Sequence, residues 1–562
     1  MAVINKTKTL FFVTSPRSPW KFIPEINVLG RDFSGKAWNK TTQTEFMEVL
    51  IDEDFYIGSK KLKDPAFSAR DRINRAPKAY GFVKLKPCIE LTEPGKLLIA
   101  SRNKEEILLR QLLKFQLPSV YHQQNKDIEE GYWVKPFLEI IRLIRYFGTL
   151  SFDEIKIFGM QLTNYKKFDY ICKMIEDFRK KRAINKGKYK KFYDEVSWSE
   201  VCKIYGHEII RGDTKTRETL DSSVEKFVKT KISNLRDYTD ACFRYLRATG
   251  CVLISRSGHS LSIAPEKEKE VDDLLRNIDR NPCYVDNEQL YEKYLFNPEL
   301  PKLYSDDRNN IIKSLNELGV KDIDSGLSIS KLKELKLEKA ADNKNHKIAN
   351  EVKKIKAYNE FEDIMDVFGK IGKNEFYDEP LQLEWNTWRA MTMLDGGDIK
   401  ANLNFDDFAR PLSTAPGNMA DIVCDYGDFC VNVEVTLQKG QKQYDNEGEP
   451  VARHVGKQTE VSGKTTYCLF IAPDISPATY AHFFVLYETK VNLYGGRANI
   501  VPIKLSTFEK MVQDSYKADY TPEPRHILAF FKRAKDLRYV ANDEEDWFNK
   551  VENMALNWLS CE

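Results

Sequence analysis

Asp421-Ile-Val-Cys-Asp-Tyr-Gly-Asp-Phe-Cys-Val-Asn-Val-Glu434 reads as a tight β-hairpin with a carboxylate at each outer end. Gly427-Asp428 is a two-residue turn signal, because glycine takes the positive φ that a primed turn requires. With that turn, Tyr426 pairs with Phe429, and stepping outward sets Asp421 opposite Glu434. Directly opposed residues share a sheet face, with Cβ atoms roughly 4.5–5.5 Å apart. Two facing carboxylates repel, so the arrangement calls for a cation, and hard carboxylate oxygens suit Mg²⁺. On its own the hairpin reads equally as a surface ribbon with two solvated acids.

Its surroundings favour the first reading. After Glu434 come Val435, Thr436, Leu437, Gln438 and Lys439, then a polar stretch with Glu447, Glu449, Arg453 and His454. Thr466–Ala472 is a short apolar run of buried-strand type and Asn499–Lys504 a second one; a helix begins at Ser506. Upstream, 381–388 reads as a helix carrying Glu384 toward the same sheet. Helix, hairpin, helix, strand is the order of a metal-dependent nuclease core of the Asp…Glu-x-Lys type. In that chemistry the carboxylates hold Mg²⁺, which activates water and neutralises charge on the scissile phosphate. The lysine expected two residues after the glutamate is replaced by Thr436. Lys439 substitutes for it only through a bend in the strand, and Glu447 or His454 is an alternative source of proton handling.

A chain of 562 residues is expected to hold two to four domains. Its net charge of +3 does not announce nucleic-acid binding. The distribution does: residues 1–110 hold 20 Lys+Arg against 13 Asp+Glu, so 20 − 13 = +7 lies at the N-terminal end. Ten cysteines occur without a Cys-x-x-Cys pair, beside seven histidines, which argues against a zinc module and suits a reducing cytoplasm. No apolar run reaches the roughly 18 residues that span a membrane, and Met-Ala-Val-Ile-Asn-Lys lacks a secretory core. The expectation is a soluble cytoplasmic protein without a membrane partner.

The N-terminal half carries one pattern twice. Phe67–Val83 reads as a basic helix ending at Tyr80-Gly81, followed by two short β segments joined by Lys86-Pro87, and Thr92 starts a further helix. Leu235–Gly250 with Cys251–Ala264 and Pro265 repeats it. The layout is that of a winged helix, whose helix enters a major groove while the hairpin contacts backbone. Arginine binds guanine O6 and N7 bidentately, so Arg70, Arg72 and Arg75, with Lys78, are candidate DNA contacts. Arg236, Arg244 and Arg247 hold the matching places in the second copy, and Arg17 lies in the stiff arm Ser15-Pro-Arg-Ser-Pro19. Each of these is equally readable as a solvated or acid-paired charge. Residues 116–230 read mostly as amphipathic helices, and 300–370 as a charged helical connector.

Taken in order, these stretches resemble the AlwI-like type IIS restriction endonucleases, a group that also includes strand-nicking enzymes of the BstNBI type. The likeness lies in Ser15-Pro-Arg-Ser-Pro, Ala66-Phe-Ser-Ala-Arg-Asp-Arg, Tyr80-Gly-Phe-Val and Tyr245-Leu-Arg-Ala-Thr-Gly. It continues in Glu384-Trp-Asn-Thr-Trp, Ala415-Pro-Gly-Asn-Met-Ala-Asp421, Glu434-Val-Thr, Glu449-Pro-Val-Ala-Arg-His454 and Tyr467-Cys-Leu-Phe-Ile-Ala-Pro-Asp474. The resemblance implies an α+β multidomain chain: a helical DNA-recognition region containing winged helices, a helical linker, and a C-terminal α/β restriction-endonuclease-like domain of variant PD-(D/E)xK type. The expected boundaries are 1–115, 116–290, 291–375 and 376–562.

It also implies binding of a short asymmetric double-stranded DNA site and Mg²⁺-dependent hydrolysis a few base pairs to one side. The family's active-site positions fall on Glu384, Asp421, Glu434, Glu447 and His454, with Asp421 and Glu434 as metal ligands; Glu449 stays open beside Glu447. Thr436 then looks like the family's own variant. One such centre cuts one strand, so cutting both implies transient dimerisation through the catalytic domain or a small partner subunit; otherwise the enzyme nicks. The competing class is a winged-helix DNA-binding regulator without hydrolytic activity.

Overall fold

The computed structural model describes residues 2–3, 8–56, 61–123, 131–255, 258–324, 326–373, 375–394, 397–406, 409–415 and 417–560. They group into two units: Met1–Glu53 with Gly58–Ala340, and Asp54–Ile57 with Ala341–Glu562. The division falls inside the segment 291–375. No helix among the described residues is long and apolar enough to cross a membrane. The nine cysteines described are free thiols.

In the first unit the basic helix α1 (Pro65–Ile73) stops short of Tyr80, and a four-residue turn of helix, Ala76–Ala79, follows. Pro77 explains the break: it has no N–H to give the carbonyl of Ile73 and its ring obstructs a continuous helix. Then come β1 (Val83–Lys84) and β2 (Glu90–Leu91), paired antiparallel, and α2 (Glu93–Ala100), whose cap is Thr92, its hydroxyl accepting from Gly95 N. The second copy begins after β3 (Thr149–Ser151) with α3 (Val224–Arg247), capped by Ser223. It continues through β4 (Val252–Ile254), β5 (Ser260–Ile263) and α4 (Glu268–Asn277). Here the hairpin is not alone: β3 adds to β5, giving the order β3-β5-β4. The tip at 256–257 lies outside the described residues. The charged connector holds the helices Arg308–Glu317, α5 (Ile329–Lys356) and Phe361–Lys370.

The second unit is built on a five-stranded mixed sheet. Helix α6 (Glu379–Leu394) leads into β6 (Asp398–Ala401), β7 (Ile422–Asp425) and β8 (Phe429–Val435). Helix α7 (Gln441–Ser462), β9 (Thr465–Ala472), β10 (Asn499–Lys504) and α8 (Leu505–Lys517) follow. The strand order is β10-β9-β8-β7-β6; β6, β7 and β8 run antiparallel and β8, β9 and β10 parallel. Parallel neighbours need a crossover, and α7 and the helix Pro477–Leu486 supply them. Central β8 is buried along nearly its whole length, as expected of a strand covered on both faces. The chain is thus a mixed α/β protein. The strands expected at 466–472 and 499–504 and the helix expected at 381–388 are present.

Candidate active site

Gly427 adopts φ +85°, and Tyr426 N donates to Phe429 O at 3.0 Å. The register then runs Asp425↔Cys430 to Ile422↔Val433, and one further step sets Asp421 against Glu434. Asp421 sits just before β7, where Asn402 pins the chain: its N donates to Asp421 O at 2.9 Å and its Nδ2 to Ala420 O at 2.7 Å. The Asp421 carboxylate turns back along the sheet, its Oδ2 accepting from Val435 N at 2.9 Å.

Two helical acids and a histidine complete the cluster. Glu384 comes from α6, which Arg389 fastens: its buried guanidinium meets Asp363 at 2.6 Å and Glu360 at 3.2 Å. Glu384 Oε2 accepts from Ala415 N at 3.0 Å. Helix α7 packs on β8 and β9 and presents Glu447 and, seven residues or two turns on, His454. His454 Nδ1 lies 2.8 Å from Glu434 Oε1. Close packing behind this helix depends on Gly456, where a Cβ would come within 2.3 Å of Leu493 O.

The electrostatics identify one cluster. Burial and then the Asp421 charge push Glu384 well above the carboxylate range. Burial, Glu434 and Glu447 do the same to Asp421, and burial and Glu447 to Glu434. Glu447 is raised by burial against the pull of the Thr436 hydroxyl and His454. Burial, with Arg453 beside it, drives His454 down to about 4, so the ring is neutral at physiological pH. Among the described residues no lysine or arginine pairs with Glu384, Asp421 or Glu434. At an effective dielectric near 20, two unit charges roughly 4 Å apart repel by about 4 kcal/mol. Such acids are retained at that cost where an incoming cation offsets it. No group of three or more His, Cys, Asp or Glu side chains among the described residues is arranged to hold a metal ion by itself. The donors nevertheless suit Mg²⁺, which takes one or two protein carboxylates and fills its remaining positions with water and phosphate.

Glu447 and Glu449 part company: Glu447 is half-buried in the cluster, while Glu449 is exposed and pairs with Arg453 at 3.1 Å. Lys439 is exposed and joins none of these contacts. Thr436 is buried, its hydroxyl reaching Glu447 and accepting from Gln438 N at 3.1 Å. Buried Asp378, just ahead of α6, also raises Glu384; the sequence reading missed it because its only sequence signal was proximity to the helix start.

The candidate DNA contacts lie in the first unit. Arg17 meets Asp237 at 3.1 Å and Asp240 at 3.5 Å, Arg75 meets Asp71 at 2.6 Å, and Arg244 meets Asp240 at 2.9 Å. Arg70 donates to Gln43 Oε1 at 2.8 Å, Arg72 pairs with buried Glu25, and the Lys78 ammonium sits 4.8 Å from the Tyr121 ring centre. Arg236 is exposed. Arg247 is only 3% exposed. Its place late in α3 turns it inward, so the groove-facing position expected for it is not where the side chain lies.

Among solved structures, the small subunit, R.BspD6I2, of the heterodimeric restriction endonuclease R.BspD6I is similar. The match has 25% identity over 34% of this chain and 98% of that one, with a TM-score of 0.30. No curated protein sequence matches. The family model for the AlwI restriction endonuclease matches residues 79–511, which takes in the second hairpin copy, the linker and every member of the acidic cluster. The chain belongs to the AlwI restriction endonuclease family.

Proposed function

We propose that this restriction nuclease is a type IIS enzyme: it binds a short asymmetric duplex site through the first unit and hydrolyses phosphodiester bonds a few base pairs to one side. The reading takes the two helix–hairpin–helix segments as winged helices and the second unit as a PD-(D/E)xK variant. Mg²⁺ held by Asp421 and Glu434 would supply Lewis-acid activation of water and charge neutralisation at phosphate. The observation that carries the reading is the group of three acids, buried Glu384 and Glu434 with half-buried Asp421, with no basic side chain paired to them among the described residues.

This chain's own residues do the rest. Glu384 stands behind Asp421 as an auxiliary acid acting through water. With Glu434 ionised, His454 donates from Nδ1, which leaves its Nε2 as the free acceptor for a proton from the attacking water. Glu447, braced by Thr436, orients that water. One such centre cuts one strand; the second strand falls to a second copy or a small partner subunit, and without either the product is a nick.

The test is a variant carrying Asp421→Ala and Glu434→Ala. Cleavage of DNA in Mg²⁺ is expected to fall by at least about 10³-fold, with duplex binding within about threefold of the parent. Cleavage that persists in the variant would refute the assignment.

A further inference from the structure

Four carboxylates converge at one end of the sheet, and DNA phosphate brought there is repelled by them. The same region holds two cations that the catalytic assignment leaves unused. Arg453 and Lys457 lie one turn apart on α7, flanking His454 in sequence, the first half-exposed and the second exposed. Both converge on Asn418: an Arg453 Nη1 donates to its side-chain oxygen and Lys457 Nζ to its carbonyl at 3.2 Å.

Asn418 sits at φ +65°, in the left-handed region uncommon for a residue with a side chain. It belongs to the stretch that starts at Ala415, the donor to Glu384, and ends at Asp421. Its two acceptors are neutral, so they leave the cations' charge in place. Glu449 offsets Arg453 through an exposed i,i+4 pair, an interaction of little worth in water. Lys457 has no carboxylate partner among the described residues. A guanidinium fork and an ammonium aimed at one pair of oxygens, with a surplus positive charge, match a phosphodiester.

We propose that Arg453 and Lys457 grip a backbone phosphate of the strand being cut, beside the scissile one, and that the two oxygens of Asn418 occupy the places of that phosphate's oxygens in the DNA-free chain. The proposal rests on the assignment of Glu384, Asp421 and Glu434 to catalysis. Arg453 and Lys457 are positioning residues: they draw the strand against the acidic cluster after the first unit has bound.

The experiment uses the full chain prebound to supercoiled plasmid and started with Mg²⁺, so that a single round of cutting is followed at several salt concentrations. The double variant Arg453→Gln with Lys457→Gln is expected to cut on the order of 100-fold more slowly, since a charged hydrogen bond to phosphate is worth roughly tenfold or more. Its rate should also depend less on salt, the slope of log rate against log salt flattening by about 0.9, the value for one phosphate charge that the protein no longer neutralises. The charge-keeping pair Arg453→Lys with Lys457→Arg should restore both within about tenfold, and Asn418→Ala should keep the parental slope. A double variant that cuts at the parental rate overturns the proposal. So does one that slows with an unchanged slope while Asn418→Ala slows equally, which makes the pair a brace for the loop. If the parent chain cuts and Asp421→Ala does not, these outcomes bear on Arg453 and Lys457 alone. A parent chain that leaves the plasmid intact removes the catalytic assignment and this proposal together.

Discussion

Glu447 and Glu449 stand two positions apart on α7 and face different surroundings. The first is turned into the acidic cluster and held by Thr436; the second lies in solvent against Arg453. Glu447→Gln is therefore expected to lower the cleavage rate about 10²–10⁴-fold, the usual range for a group that handles or orients a proton. Glu449→Gln should stay within about threefold of the parent, since an exposed ion pair contributes little; initial rates on one plasmid substrate compare the two. At this scale the sequence was legible where a turn rule fixed geometry. Gly427-Asp428 set the register, and the register placed Asp421 against Glu434. It was not legible where burial decides. Nothing in the order of residues separated Arg236, which is exposed, from Arg247, which is not. The choice between Glu447 and Glu449 likewise needed the orientation of the helix on the sheet.

Helix α5 shows how an element with few apolar residues is kept in place. In the first unit, Lys333 Nζ meets Glu106 at 2.7 Å and Asp306 at 2.8 Å, and Arg110 meets the same two acids at 2.6 and 2.7 Å. One turn on, Lys336 pairs with Glu270 at 2.5 Å. In the second unit the helix end contributes buried Ile355 to the core, and Lys356 Nζ donates to Gly397 O at 3.1 Å. Burial works to raise Asp306, but Arg110, the Leu303 N–H and Lys333 outweigh it and hold the group well below the usual carboxylate range. A depressed carboxylate contributes stability that is present above its unfolded value, about 4, and lost as pH falls through the lower folded value. Asp306→Asn should thus cost about 2 kcal/mol at pH 7, and the gap to the parent should shrink as pH drops below about 4. Urea unfolding across that pH range checks both parts; a gap that is flat with pH would contradict the network. The sequence showed this segment as charged and helical but not what it was anchored to. Its partners Glu106, Asp306 and Glu270 lie 227, 27 and 66 residues away in the chain, and pairing of exposed-type residues leaves no periodicity to read.

At the level of the whole chain, a family model spanning residues 79–511 and a cluster of buried and half-buried acids at one end of a mixed sheet meet in a DNA-cutting enzyme. The order of elements in the second unit could be read from its apolar runs, because strands buried on both faces announce themselves by composition. The helical bulk of the first unit could not be assembled the same way, since amphipathic stripes show that helices pack without showing against what. The central claim is directional, Mg²⁺-dependent cutting beside a recognised sequence. Its most direct test is to incubate the purified full chain with supercoiled plasmid of varied sequence and Mg²⁺, then sequence every new end. The account predicts ends at a constant distance to one side of a single recurring asymmetric motif, on one strand or both, and none when EDTA is present. Ends scattered without a shared motif, or plasmid left intact by protein that still binds it, would contradict the account.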